Sequence, residues 1–295
     1  MRLLSRLFRT LSGEKKHQDR SKFETYDFSP ERFECTMASI SGTGACQDLF
    51  LNRYDDRELA DIMERTGLMG HLRTTGFTKP LLLIDRDPNN IHYLKVYDAK
   101  AGPDRLLVDL RLSQILYTPG TKGARAVAPG GRFNVLAIEW ISLQDPRRKF
   151  TADRPRLPGQ DRPGLGAVRF LGPLVETIGR DLMADAALDV PEHFHAAVMY
   201  SRKFTYMDPA REGMMRGVLR DLGSHTLAEL SWAFVDGAIL DAVTGKPVPF
   251  EPSEQILPVT EGLIRHFASR DYRDRVEEEM KKKKYILDYG RMKQR

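Results

Sequence analysis

FNVLAIEWISL (Phe133–Leu143), GQDRPGLGA (Gly159–Ala167) and VRFLGPLVETIGRDL (Val168–Leu182) form the stretch on which the fold turns. The first segment is rich in β-branched and aromatic residues and is apolar on both faces except at Glu139, as in a central buried strand. The third spaces Val168, Leu171, Val175, Ile178 and Leu182 as one helix face. Glycines at a helix start let a backbone approach a ligand closely, and the free N–H groups and helix dipole there favour an anion. An ordinary glycine–proline loop before a core helix is the alternative reading. Pro173 falls inside the helical pattern, where it is expected to kink the helix or mark a later start. Beyond it, Ala184–Val190 reads as a short strand. Pro191 then stands near the first turn of a helix over Glu192–Phe204, with Phe194, Ala197, Val198 and Ser201 on one face and Tyr200 and Phe204 nearby. Residues 133–208 thus read as strand, glycine-rich loop, helix, strand and helix, suited to a phosphate-bearing ligand.

Towards the N-terminus, DDRELADIMERTG reads as a helix, with Asp55 and Glu58 as a capping box, Leu59, Ile62 and Met63 on one face and Gly67 as its stop. Two apolar runs flank Asp87-Pro88-Asn89-Asn90 as a β-hairpin, and the alternation in 105–117 predicts a further strand. The stretches 118–131 and 144–163 are long loops, the second basic and proline-rich. Towards the C-terminus, DPAREGMMRGVLRDL predicts a helix. LAELSWAFVDGAILDAVTGKPVPF resembles paired strands, and Thr260 to about Tyr289 reads as one charged helix whose EEEMKKKK run is a solvated face.

With 295 residues, 41% of them hydrophobic, the chain has enough apolar material for a real core. A net charge of +5 is dispersed rather than gathered in one stripe, which argues against a specific nucleic-acid partner and suits an anionic ligand. Cys35 and Cys46 lie far from any CxxC spacing, so a reduced cytoplasmic compartment is expected. No apolar run approaches a membrane span. Residues 1–11 place Leu3, Leu4, Leu7, Phe8 and Leu11 on one helical face with Arg2, Arg6 and Arg9 between them. This is either a basic amphipathic segment for peripheral membrane contact or a loose first helix. His193 and His195 diverge on a helix and have no third ligand, so no metal is expected and His193 is read as a helix-start hydrogen-bonding group. No GxSxG elbow occurs, and Ser41-Gly42-Thr43-Gly44 lacks the P-loop lysine.

The order from strand 133–143 to the helix bearing Tyr200 resembles the acyl-CoA-binding half of the GNAT N-acyltransferases. Gly164 and Gly166 match the glycines of that family's Q/R-x-x-G-x-G/A loop, and Ala196 and Tyr200 match its later helix. Asp161 stands at the Gln/Arg position with Gln160 and Arg162 beside it, and His193 replaces an Asn. The helix and antiparallel strands of 55–143 follow the family's order more loosely, and 210–295 lie mostly outside it. The resemblance implies an α/β (α+β) fold with a mixed, mainly antiparallel central sheet flanked by helices. The expected organisation is an N-terminal segment 1–32, a GNAT-like domain 33–208 and a C-terminal extension 209–295 packed on it.

It also implies acetyl-CoA or another acyl-CoA as co-substrate. Gln160, Arg162, the 164–168 loop (Gly164, Leu165, Gly166, Ala167, Val168) and His193 would face the coenzyme, and the exposed edge of strand 133–143 its pantetheine arm. Tyr200 would be the general acid for the thiolate, and Glu139 is a candidate base, directly or through water. The acyl acceptor would be a small-molecule or protein amine, in a site built from hairpin 80–98, loop 118–131 and the C-terminal region. The alternative is a binding or regulatory protein on the same scaffold that recognises an anionic ligand or a partner. Oligomeric state stays open.

Overall fold

The computed structural model of the chain describes residues 23–25, 49–120, 125 and 127–294. The amphipathic segment 1–11, most of the 12–32 lead-in, both cysteines and the Ser41–Gly44 run lie outside the described residues. Strand β1 (Phe23–Thr25) pairs with the far end of a later strand, Phe23 opposite Tyr117. Helix α1 (Asp56–Arg65) starts at the expected capping box: the Asp55 side chain accepts from the Glu58 amide, and Glu58 reaches back to the Asp55 amide. Such a cap is worth about 1 kcal/mol. Leu59, Ile62 and Met63 are its buried face, and a short α2 (Leu68–Thr74) follows.

The hairpin forms as read, with β2 (Pro80–Arg86) and β3 (His92–Asp98) antiparallel around the Asp87–Asn90 turn. Strands β4 (Leu106–Tyr117) and β5 (Phe133–Leu143) make the longest pair of the sheet. Their register shifts between Arg111, opposite Trp140, and Leu112, opposite Ile138. Glu139 therefore faces no residue of β4 and is the extra residue of a β-bulge, which bends a strand and re-aims its side chains.

Helix α3 (Val168–Asp181) begins where the spacing predicts and runs on through Pro173, so the proline does not delay its start. Strand β6 (Ala186–Asp189) follows, then α4 (Phe194–Tyr200) and the two-residue β7 (Thr205–Tyr206). The second helix is shorter than the expected 192–204. Its N-cap is His193, so Pro191 precedes the helix rather than standing in its first turn.

Helix α5 (Pro209–Leu222) starts at the Asp208 cap. The expected strand pair over 227–250 is half wrong. Leu227–Val235 is helix α6, started by a second capping box between Thr226 and Glu229. Its apolar residues leave the helical period faint, so the cap was the better signal. Only β8 (Ile239–Asp241) is a strand there. Strand β9 (Gln255–Pro258) comes next, then α7 (Glu261–Ala268), α8 (Arg270–Lys282) and β10 (Tyr285–Leu287), which pairs with β8 apart from the main sheet. The single charged helix read at the end is thus two. Ser269 leaves the helical region at φ −66°, ψ 152°, and its hydroxyl caps the second helix at the Tyr272 amide. The EEEMKKKK run is a solvated face, with Lys281 on Glu277 and Lys282 on Glu278 and Glu279.

The fold is of the α+β class, with an eight-stranded sheet ordered β2-β3-β4-β5-β6-β9-β7 and β1 added on β4. Every pair is antiparallel except β5–β6. Strand β9, from the C-terminal region, lies between β6 and β7 in the main sheet. One apolar core joins α1, α2 and α3 to the sheet through Leu110, Leu112, Leu136, Ile138 and Ala187. The opposite sheet face, at Ile115, Val135, Ala137, Ala186 and Leu188, packs on Leu263 and Phe267 of α7. A third cluster joins α4, α5 and α6.

Helix α5 meets α8 at Gly213, where an added Cβ would lie 2.6 Å from Glu279 Cβ and 2.7 Å from the Val276 carbonyl oxygen. Backbone cannot yield as a side-chain tip does, so Gly213→Ala is expected to destabilise by about 1–3 kcal/mol. Gly70→Ala, whose Cβ meets only the Arg73 Nη2 at 3.9 Å, should be neutral or slightly stabilising. Denaturant midpoints of the two variants check the contrast, and equal midpoints would remove close α5–α8 approach from the stability of the fold.

Candidate functional site

Strand β5 keeps its β4 partner along its length except at the Glu139 bulge, but pairs with β6 only through Val135, Leu136 and Ala137. Past that point the two strands part, and a cleft of about 2200 Å³ opens along the second half of β5. There the β6-facing backbone edge of residues 138–142 has no strand partner among the described residues. Glu139, at the bulge, lines this cleft, and its Oε1 accepts a hydrogen bond of 2.6 Å from the buried Ser113 hydroxyl. Trp140 and Arg111 stand on the same wall, with the guanidinium 5.5 Å from the indole centroid and Asp109 holding its Nη2 at 2.7 Å.

The 144–163 segment does not carry the glycines away from β5. Gln144 and Gly164 form an antiparallel bridge, the Leu165 amide bonds the Leu143 carbonyl at 3.1 Å, and the Asp145 amide bonds the Pro163 carbonyl at 2.8 Å. The segment is an excursion whose two ends meet, so β5 passes in effect straight into the glycine loop. Gly166 has φ +71°, a conformation open to glycine at little cost and strained for most side chains. It sets the chain into α3. The first amides of a helix have no partner within it, and among the described residues none accepts from the backbone amides of Gly166, Ala167 or Val168.

Gly164, Leu165, Gly166 and Val168 line the cleft, as do Gln160, Arg162, His193 and Tyr200. Of the residues singled out from sequence, Ala167 alone does not line the cleft; it is buried with Leu165 in the α1–α3 core. Gln160 closes its own turn through Leu157 at 3.3 Å. Arg162 is tethered at the mouth, its guanidinium on Asp104 and on the Pro146 carbonyl. Gly159, at φ +75°, passes over the His193 ring so closely that a Cβ would lie 2.8 Å from Nε2.

His193 holds the N-cap position of α4, but its side chain makes no capping bond. Instead its ring stacks on His195 at 5.6 Å, and His195 Nδ1 lies 2.8 Å from the Ser231 hydroxyl. Burial lowers the His193 pKa. It pushes that of His195 down to about 4, helped by His193, so the His195 ring is neutral at pH 7. Among the described residues, no group of three or more His, Cys, Asp or Glu side chains is placed to hold a metal ion. Tyr200, at the end of α4, packs partly buried against the α3-side core, 6.1 Å from the Phe204 ring. Burial first, and then the charge of Asp189, raise its phenol pKa, so it is a protonated donor at neutral pH.

Asp189 is a further cleft residue, outside those marked by the sequence. It ends β6, lines the cleft and is 6% exposed, and its Oδ2 is buried without a hydrogen-bond partner. Burial pushes its pKa up to about 7, with Glu192 adding to the effect and the Val190 amide opposing it. It lies in one cross-strand row with Gln255 of β9 and Tyr206 of β7, whose Oε1 and hydroxyl are likewise buried and unpartnered. The sequence signal was a lone carboxylate closing an apolar strand, Ala186-Ala187-Leu188-Asp189. Leu227 and Ala228 from α6, and Glu251 and Pro252, complete the cleft together with the 88–91 hairpin tip. No described residue of 118–131 lines it. No helix among the described residues is long and apolar enough to cross a membrane. No protein-family model and no curated protein matches the chain.

An acid whose folded pKa is raised binds its proton more tightly folded than unfolded, so stability falls as pH climbs from the ordinary 3.8 to about 7. Asp189→Asn removes that loss. Its stability relative to the wild type should therefore be greater at pH 8 than at pH 5 by roughly 2 kcal/mol. Denaturant melts at the two pH values measure this, and an identical difference at both would mean that Asp189 ionises normally.

Proposed function

We propose that the protein is a GNAT-like N-acyltransferase that moves an acyl group from acetyl-CoA or another acyl-CoA to a small-molecule or protein amine. The observation that carries this reading is the free edge of β5 running, across the Gln144–Gly164 bridge, directly into Gly164–Val168 and the start of α3. A pantetheine arm carries amides that can hydrogen-bond such an edge as an added strand does. At the end of that edge, the amides of residues 166–168 and the α3 dipole would receive the pyrophosphate. Arg162 stands at the mouth as a counter-charge, and His193 forms the wall beneath Gly159.

In this reading the amine approaches along the wall of Glu139, whose carboxylate attracts an ammonium and takes its proton directly or through water. The neutral nitrogen attacks the thioester carbonyl, the C–S bond breaks, and Tyr200 protonates the departing sulfur. The parting of β5 and β6 lets Glu139 and Tyr200 line one space although they come from different elements.

Acetyl-CoA at about a hundred times its Kd should stabilise the fold by about 2.7 kcal/mol. Thermal melts with acetyl-CoA, coenzyme A, ATP and NADH then show shifts for the two coenzyme A species above the other two. No response to either would sink the proposal. With turnover established, Tyr200→Phe should lower kcat by about 100-fold while acetyl-CoA affinity changes little. Unchanged turnover removes Tyr200 from the chemistry, and binding without turnover marks a binding protein on this scaffold.

A further inference from the structure

The wall that carries Glu139 also carries a cation. Tyr93 lies directly opposite Arg111, and Arg111 opposite Trp140, so β3, β4 and β5 set these side chains in one row on one face of the sheet. The guanidinium carbon is 5.1 Å from the Tyr93 ring centroid and 5.5 Å from that of Trp140. Asp109, buried two residues back on β4, accepts from Arg111 Nε at 3.3 Å and from Nη2 at 2.7 Å. Two rings and a buried carboxylate thus fix the plane of the guanidinium. The Asp109 contact leaves Nη1 unused, and among the described residues its two N–H donors have no acceptor. Arg154 and Arg162 also line the cleft, but both belong to the 144–163 excursion, so Arg111 is the arginine that the sheet itself presents.

Ser113 is the next residue on that face of β4, two beyond Arg111, and its hydroxyl holds Glu139 Oε1 at 2.6 Å. Two residues along a strand span about 7 Å. Glu139 and Arg111, both lining the cleft, are therefore anchored about that far apart, with opposite charges. The head of an α-amino acid is the complement of this pair. Its ammonium nitrogen and carboxylate oxygens are joined through one carbon and lie about 3 Å apart. With a charge-assisted hydrogen bond of about 2.8 Å at each end, such a head fills a gap of this size. A simple amine would leave the Arg111 donors unmatched, and a polyamine would set a second positive charge beside them.

We propose that the acceptor is a free α-amino acid, its ammonium bound by Glu139 and its carboxylate by Arg111. The proposal rests on the acyl-transfer reading of the cleft and names the substrate class of that site. The α-nitrogen, stripped of a proton by Glu139, attacks the thioester carbonyl; a C–N bond forms and the C–S bond breaks. The ammonium loses two protons on becoming an amide. One replaces the proton that Tyr200 gives to sulfur, and the other leaves to solvent. Thioester and amino acid thus yield N-acyl amino acid, free thiol and one proton, with the carboxylate on Arg111 unchanged throughout. Arg111 is a binding residue that sets the amine beside Glu139. The side chain of the amino acid is left for the loops around the cleft to select.

The test measures thiol release from acetyl-CoA with amines offered singly. They are the common L-amino acids, their α-amides, the amines that lack the carboxylate altogether, spermidine and lysine peptides. With the wild type, the preferred acid should exceed its own amide in kcat/KM by about 30-fold, the difference lying in KM. In Arg111→Gln that gap should close, and Arg111→Lys, which keeps the charge but not the fork, restores part of it. The comparison of acid with amide needs only the wild type, so it stands even if Arg111→Gln, by leaving Asp109 unpaired, fails to fold. Thermal melts with free amino acids, without acetyl-CoA, read the site apart from turnover. If amides, simple amines, spermidine or lysine peptides serve as well as any free amino acid, the amino-acid site is overturned and acyl transfer stands. If an amino acid but not its amide stabilises the wild type, while coenzyme A species have no effect and no thiol is released, the site is upheld and the acyl-transfer reading falls. A wild type that responds to neither ends both.

Discussion

Everything at the site depends on how briefly β5 and β6 stay together. Their parallel ladder spans Val135–Ala137 against Ala186–Leu188, and then each strand goes its own way. A parallel pair that stops in mid-sheet leaves backbone donors and acceptors that some other group must satisfy. The bulge at Glu139 lies two residues past the last position paired with β6, and a bulge adds twist and bends its strand. The excursion 144–163 then returns Gly164 to the very end of β5 instead of letting the chain leave the sheet. Unpaired edge, carboxylate and glycine turn are thus consecutive features of one strand.

The burial that shapes the cleft also sets its chemistry. His195, Asp189 and Tyr200 all have their charged forms disfavoured, in each case first by burial. At neutral pH this leaves an uncharged imidazole and phenol with a carboxyl near its midpoint. Proton donors and acceptors of this kind suit acid–base work better than static ion pairs, which would hold every proton in place. The cleft also carries paired charges, Arg111–Asp109 on the Glu139 wall and Arg162–Asp104 at the mouth.

Where the sequence spoke through local chemistry it was legible. The Asp55/Glu58 box, the hairpin turn at 87–90, the strand 133–143 and the helix from Val168 all follow from caps, periods and turn residues within a few positions of each other. The glycine loop with Gly164 and Gly166 follows from its place before a helix, whereas Gln160, Arg162 and Tyr200 were joined to it only by a family resemblance; that all five line one cleft depends on two strands diverging. What was illegible was tertiary. The faint period of Leu227–Val235 hid a helix that the Thr226/Glu229 box could have revealed. The break at Ser269 reads as one more polar residue in a charged run. Asp189 became notable only through its burial, and the placing of β9 between β6 and β7 has no local signature at all. The missing link between β5 and the glycines, which looked like a long gap in sequence, was closed by backbone pairing at Gln144 and Gly164 that no side-chain pattern encodes.

Two segments outside the strand–loop–helix framework meet over its open side. The 144–163 excursion brings Phe150, Arg154 and Leu157 to the cleft, and the long connection from β7 to β9 brings Thr226, Leu227 and Glu251. They are tied together where Trp232 Nε1 donates to the Arg156 carbonyl at 2.7 Å, a contact between residues far apart in sequence. A ligand held by the glycine loop and the β5 edge would use chiefly backbone and the start of α3, with the Arg162 and His193 side chains beside it. Whatever enters from the other direction meets side chains of these two segments and of the 88–91 hairpin tip. Loops carried on a rigid sheet can vary in shape and charge without disturbing the strands beneath. In the acyl-transfer reading, choice of acceptor therefore belongs to these segments, while handling of the acyl donor belongs to the sheet.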